Sequence, residues 1–274
     1  MSLSIASRAT LNDGHEMPWF GLGVWQASAR ETVYAVGAAL KEGYRLVDTA
    51  KLYGNEAEVG QAVRDSGIPR DEVFVTSKLW NNDHGSANAL RAGVASQQQL
   101  GLGPIDLYLI HYPVPRLRLE SWRALIQLRE RGVARSIGVS NFTVRHLQEL
   151  IKDSGVVPAV NQVEFHPFLF QRELLEYCQA QGIVLQAYCP LTQGQRLDHP
   201  VVVQVGTKYA RTPAQVLIRW GLQHGVSEIP KSVKAHRLAE NAQVFDWAIA
   251  PEDMALLDNL NEDLHTSWDP SREP

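Results

Sequence analysis

The stretch "VDTAKLYGNEAEVG" (47–60) packs a strand end, a turn and a helix start into fourteen residues. A run from Tyr44 to Val47 ends in Asp48, a phenol follows at Tyr53, Gly54-Asn55 turns the chain, and 56–65 has a helical pattern. One acid at a strand end is ordinary, because Asp readily caps a turn. It gains weight when the chain repeats the arrangement, with reactive groups at other strand ends.

It does repeat. Strand-like runs lie near 20–24, 45–48, 73–77, 105–110, 135–139, 160–164, 184–188 and 226–229. Helix-like stretches lie near 29–42, 56–65, 86–100, 119–131, 143–152, 171–181, 212–224 and 251–259, with a short one at 234–242. The strands are β-branched and often apolar on both faces, as parallel strands covered by helices should be. Thr212-Pro213 offers a capping hydroxyl and a proline at the first helical position. Thr143 precedes "VRHLQELI", which has a helical period. Gly132 and Gly182 stand where a left-handed C-cap is wanted. Eight strands alternating with helices predict an α/β chain folded as a closed (β/α)8 TIM barrel, one domain over residues 1–274. Asp13-Gly14 between short strand-like runs predicts an N-terminal β-hairpin closing the barrel's N-terminal end. An open doubly wound sheet would carry G-x-G-x-x-G after an early strand, and "GLGVWQA" (21–27) lacks the third glycine.

The chain has 274 residues, 45% hydrophobic, with a formal net charge of −4. A core of that size needs no disulfide or metal staple. Acids and bases are interspersed, so nothing points to nucleic acid or an anionic membrane surface. Cys178 and Cys189 have no CxxC spacing and read as reduced thiols. The N-terminal segment is polar and unlike a secretory signal, and no apolar run approaches the ~20 residues of a membrane span. A cytoplasmic protein is the expectation.

Parallel barrel strands bring their C-terminal ends to one face, where active sites sit. The second run ends in Asp48, with Tyr53 beyond it. "VFVTSK" ends in Lys78, "IDLYLIH" in His111 and "SIGVSN" in Ser140-Asn141. "VNQVEFH" carries Gln162, Glu164 and His166; "IVLQAY" ends in Tyr188 and "SEIPKS" in Lys231-Ser232. Each alone reads as a turn cap, a solvated strand end or packing. Together they offer one pocket an acid, a phenol, an ammonium and an imidazole.

With these residues in view, the chain resembles the aldo-keto reductase family over almost its whole length. The resemblance rests on "GLGVW" (21–25), "DTAKLYGNEAEVG" (48–60), "TSKLW" (76–80), "LYLIHYP" (107–113), "IGVSNF" (137–142), "NQVEFHP" (161–167), "QAYCPL" (186–191) and "IPKSVKAHRLAEN" (229–241). It implies a catalytic tetrad of Asp48, Tyr53, Lys78 and His111, NADPH-dependent reduction of aldehydes and ketones, and a monomer. Tyr53 would be the acid, its pKa lowered by the Lys78 ammonium. Asp48 would hold Lys78, and His111 would orient the carbonyl or share proton donation. The resemblance assigns Ser140, Asn141 and Gln162 to the nicotinamide carboxamide and Tyr188 to its ring. It also assigns Leu191, Lys231, Ser232, Val233, Arg237, Glu240 and Asn241 to the cofactor, with Lys231, Ser232 and Arg237 on the 2′-phosphate. Two charge-assisted bonds of about 1.5–3 kcal/mol each would favour NADPH over NADH on the order of a hundredfold. Trp25, Trp80 and Tyr112 would line the substrate pocket; Trp268 reads equally as packing or lining.

Cys189 stands where the family usually has serine. The stretch after His111 and the tail after Leu260 are both short, which predicts an open, poorly enclosed pocket. Two other functions compete: a non-catalytic barrel that senses nicotinamide nucleotides, and a metal-dependent hydrolase built on Glu164 and His166, although two ligands are fewer than a metal site needs.

Overall fold

The computed structural model describes residues 3–274. β1 (Arg8–Thr10) and β2 (Glu16–Pro18) form the expected antiparallel hairpin, turned at Gly14 with φ +89°. Eight parallel strands follow in sequence order. Each of the first six leads into one helix: β3 (Leu22–Gly23) into α1 (Ala29–Lys41), β4 (Leu46–Asp48) into α2 (Glu56–Asp65), β5 (Phe74–Leu79) into α3 (Ser86–Leu100), β6 (Ile105–Ile110) into α4 (Arg118–Glu130), β7 (Ala134–Ser140) into α5 (Val144–Ser154) and β8 (Val160–Glu164) into α6 (Arg172–Ala180). β9 (Val184–Tyr188) precedes α7 (Pro200–Tyr209) and α8 (Pro213–Gln223), and β10 (Ser227–Glu228) precedes α9 (Ala235–Ala242) and α10 (Pro251–Asp258). Parallel bridges Phe20–Glu228 and Gly23–Lys231 close the last strand onto the first. The result is the barrel that the alternation of runs predicts.

The two-residue period of the strands sorts their side chains. Val47, Val75, Tyr108, Ile110 and Val163 belong to the large core beneath the helices. Leu46, Phe74, Leu107, Leu109 and Val160 form a separate inner cluster with Leu11 and Met17 of the hairpin region. The hairpin therefore plugs the barrel's N-terminal end with apolar groups. Each such side chain contributes about 1.5–3 kcal/mol by leaving water. Space inside is tight: a Cβ at Gly138 would lie 2.5 Å from the Val160 carbonyl oxygen and 2.8 Å from a Leu109 methyl. Any larger residue there would push β7 and β8 apart.

Helix starts follow their local chemistry. Ser28, Thr143 and Thr212 each cap with a reciprocal bond from the third helical residue, Glu31, His146 and Gln215. Gly132 and Gly182 take φ +70° and +68° just past α4 and α6. α7 was not anticipated. Its Pro200 occupies a first-turn position, but "VVVQV" is β-branched and hides the helical period. Among the described residues, no helix is long and apolar enough to cross a membrane.

Candidate active site

The mouth of the barrel is built from the strand ends. Asp48 is the last residue of β4 and points inward with Leu46, two residues earlier. The chain then makes a 3-10 turn, Lys51–Tyr53, ended by Gly54 at φ +68°. Asn55 fixes this loop: its Oδ1 accepts from Thr49 Oγ1 (2.7 Å), and its Nδ2 donates to the Val24 carbonyl (3.1 Å). The same Nδ2 also donates to Thr32 Oγ1 of α1 (3.1 Å), and nothing in the sequence alone marks Asn55, because Thr49, Val24 and Thr32 lie on three separate segments.

Lys78, fully buried on β5, sits where these elements meet. Its Nζ donates to Asp48 Oδ1 (2.6 Å), the Thr49 carbonyl (2.9 Å) and Tyr53 Oη (3.2 Å). An ammonium has three donors and no acceptor, so this set is saturated. The Tyr53 oxygen is an acceptor in the contact, and its own hydrogen is left for the cleft. The other Asp48 oxygen accepts from Gln162 Nε2 (2.7 Å), whose second hydrogen goes to Gln186 Oε1 (2.7 Å). Gln186 passes the chain on to Ser227 Oγ (3.2 Å). With both amide hydrogens spent, Gln162 offers the cleft only its oxygen.

His111 follows β6, with its ring among three aromatics: Tyr53 at 5.7 Å, Trp80 at 5.3 Å and Trp268 at 5.2 Å between centroids. Its carbonyl accepts from Asn141 Nδ2 (2.9 Å), and Asn141 Oδ1 accepts from the Tyr188 hydroxyl (2.7 Å). Asn141 thus sets Tyr188, and Ser140 Oγ accepts from Asn141 Nδ2 (3.1 Å); neither lines the cleft.

Burial dominates the electrostatics. It pushes the Tyr53 phenol well above its ordinary value, and Asp48 pushes in the same direction. The resemblance implies a lowering by Lys78; burial first, and then Asp48, which pairs with that ammonium at 2.6 Å, act in the opposite direction. Burial also lowers Lys78 and raises Asp48, while their ion pair opposes both changes. The His111 imidazole is held well below its usual range by burial and then by Lys78, so it is neutral at pH 7.

A cleft of about 540 Å³ opens over this cluster. Trp25, Asp48, Tyr53, His111 and Gln162 line one part; Tyr188, Leu191, Lys231 and Arg237 line the rest. Trp25 lies 4.7 Å from the Tyr53 ring and remains 40% exposed. Lys231 and Arg237 are exposed and form no ion pair among the described residues. Ser232, Val233, Glu240 and Asn241, also expected at the cofactor, lie on the segment that becomes α9 and in that helix but do not line the cleft. Ser232 Oγ caps Lys234 N (3.1 Å), and Glu240 Oε1 accepts from Thr212 Oγ1 (2.9 Å). Burial pushes the half-buried Cys189 thiol up to about 11, which keeps it protonated.

The expected open pocket is corrected on one side. The tail folds back, and Ser267 and Trp268 line the cleft. Trp268 lies 5.8 Å from Trp80 and 5.9 Å from Tyr112. Those two expected pocket residues therefore meet the cleft through an aromatic group that the sequence left undecided. Among the described residues no group of three or more His, Cys, Asp or Glu could hold a metal, and Glu164 is occupied by His166, Thr266 and Ser267.

Comparison with known proteins agrees with this geometry. Residues 17–262 match the Aldo/keto reductase family. The uncharacterized oxidoreductase YtbE of Bacillus subtilis is 49% identical over 275 residues, covering 98% of each chain. Glyoxal reductase of the same organism is 49% identical over 271 residues, again covering 98% of each. Among solved structures, a mutant of Gox0644 in complex with NADPH superposes with a TM-score of 0.92 at 42% identity, covering 98% of both chains. The chain belongs to the aldo/keto reductase family and is an oxidoreductase of that family.

Proposed function

We propose that this aldo/keto reductase reduces aldehydes and ketones to alcohols with NADPH, and that Tyr53 is the general acid. The observation that carries the reading is the saturated Lys78 ammonium, which donates into the Tyr53 oxygen and leaves the phenolic hydrogen for a substrate in the cleft.

The cleft fits the nucleotide by its donor set. Gln162 presents an unspent carbonyl oxygen, suited to a carboxamide NH2. Tyr188 offers an aromatic face with its hydroxyl tied down by Asn141. Lys231 and Arg237 offer two cations to a phosphate at the other end, with Ser232 beside them and Leu191, Val233, Glu240 and Asn241 around the adenosine. When bound, NADPH supplies the hydride.

The protein supplies the proton and the geometry. A carbonyl oxygen over the cluster accepts hydrogen bonds from Tyr53 and from the neutral His111 imidazole; its Nδ1 is buried with no partner among the described residues, which leaves Nε2 to carry the hydrogen offered to the cleft. As negative charge develops on that oxygen it becomes a stronger base than a phenolate, so the proton leaves Tyr53 although burial raises its pKa. Lys78 then stabilises the phenolate it already contacts. Asp48 keeps Lys78 charged, and Gln162 and Gln186 keep Asp48 in place.

The test is NADPH consumption by the wild-type protein with glyoxal and with an aromatic aldehyde, alongside NADH. Turnover with NADPH and at least about tenfold weaker binding of NADH supports the reading. Tight NADPH binding without turnover on any aldehyde or ketone would favour the nucleotide-sensing barrel instead.

A further inference from the structure

Glu164 is the last residue of β8, 2% exposed, and the tetrad chemistry makes no use of it. Its carboxylate accepts from the backbone N–H of Thr266 (2.8 Å) at Oε1 and of Ser267 (3.0 Å) at Oε2, from the Thr266 hydroxyl, and from His166 Nε2 (3.2 Å). Four donors on one buried carboxylate compensate its desolvation. Three of them belong to a segment 102 and 103 residues further along the chain. Gln193 Nε2 holds the same segment from the other side, through the Thr266 carbonyl (2.8 Å). Further on, the Tyr112 hydroxyl donates to Glu273 Oε1 (2.9 Å). The residue between these ties whose side chain faces His111 is Trp268.

Resting on the carbonyl-reductase reading, we propose that Glu164 is a positioning residue for substrate selection: its carboxylate clamps residues 266–267 so that Trp268 roofs the carbonyl site. The aromatic walls this creates are the indoles of Trp25 and Trp268, with Trp80 and Tyr112 packed against Trp268. The cleft's lining cations, Lys231 and Arg237, belong to its phosphate end. The roofed slot therefore takes uncharged, flat or short carbonyl compounds, such as small α-dicarbonyls and aryl aldehydes. It disfavours branched ketones and carboxylate-bearing ones.

Glu164→Gln keeps the size of the side chain but turns an NH2 towards one of the tail donors. Its effect should run through Trp268. In both Glu164→Gln and Trp268→Ala, the ratio of kcat/KM for glyoxal to that for a bulky diaryl ketone should fall about tenfold or more, mainly through KM for glyoxal. NADPH affinity should stay within about twofold, and the double variant should match Trp268→Ala within about twofold. A fall in kcat alone, an unchanged ratio, or additive effects in the double variant would overturn the clamp. Amide hydrogen exchange at Thr266 and Ser267 reads the clamp without any turnover: slow in wild type and fast in Glu164→Gln supports it, and equal rates overturn it. If wild type reduces no carbonyl compound, the functional reading fails, while exchange still decides whether Glu164 holds the tail.

Discussion

The two ends of the barrel are made by the same strands and have opposite chemistry. On β4 the inward positions run from Leu46 to Asp48; on β5, from Phe74 to Lys78; past β6, from Leu107 and Leu109 to His111; on β8, from Val160 to Gln162. Each strand thus begins in an apolar plug and ends in a polar cluster, two or four residues later on the same face. The apolar end needs only volume. The polar end needs every donor matched, because an unpaired charge in that interior is costly. Stability and chemistry are separated along the strand axis rather than between domains.

That separation can be broken by substitution at either end. Lys78→Met leaves Asp48 buried without its cation, and should abolish measurable turnover while costing about 3–5 kcal/mol of stability in urea titrations. A stable, active Lys78→Met protein would mean that the polar end is not electrostatically closed. At the plug, Leu107→Ala should cost about 2–5 kcal/mol through the cavity it leaves, yet kcat at a permissive temperature should stay within about twofold. A large kcat loss there would show that the two ends are coupled.

Acid should act at the mouth. Burial holds His84, in the loop after Trp80, down to about 4, and holds His111 low as well. Between about pH 6.5 and 4 the unfolded chain binds protons at these positions that the folded chain refuses. Stability therefore falls as pH drops through that window, by up to about 3 kcal/mol for His84 and levelling off below 4. Unfolding midpoints measured from pH 7.5 to 4.5 should show a shallower decline for His84→Gln; identical slopes would place the sensitivity elsewhere. The smallest effect belongs to the exposed end of the cleft where we propose that the 2′-phosphate sits. Arg237→Ala should weaken NADPH about tenfold and leave NADH nearly unchanged in fluorescence titrations. An equal loss for both would move Arg237 away from the 2′-phosphate.

Much of the polar end was legible because its signals are local. Asp48, Lys78, His111 and Tyr188 each close a strand-like run, and the barrel follows from the alternation of runs. What the sequence hid depends on distant pairings. Trp268 and Glu164 carry no mark of each other across a hundred residues, so the tail read as short and the pocket as open. Asn55 and Gln186 look like ordinary polar residues until their partners are known. The Tyr53 phenol carries a burial that the sequence does not show, and that burial, ahead of Asp48, pushes its pKa up against the pull of the Lys78 ammonium. α7 was lost to three consecutive valines, which favour strand locally and form a helix only because α8 and α10 cover it.

The most direct test is Tyr53→Phe, with NADPH binding and glyoxal-dependent NADPH consumption measured on the same samples. The ring is kept and only the proton donor is removed. Turnover should fall by roughly 10²–10⁴-fold while NADPH affinity stays within about twofold. Near wild-type turnover in the variant would contradict Tyr53 as the acid and, with it, the role given to Lys78.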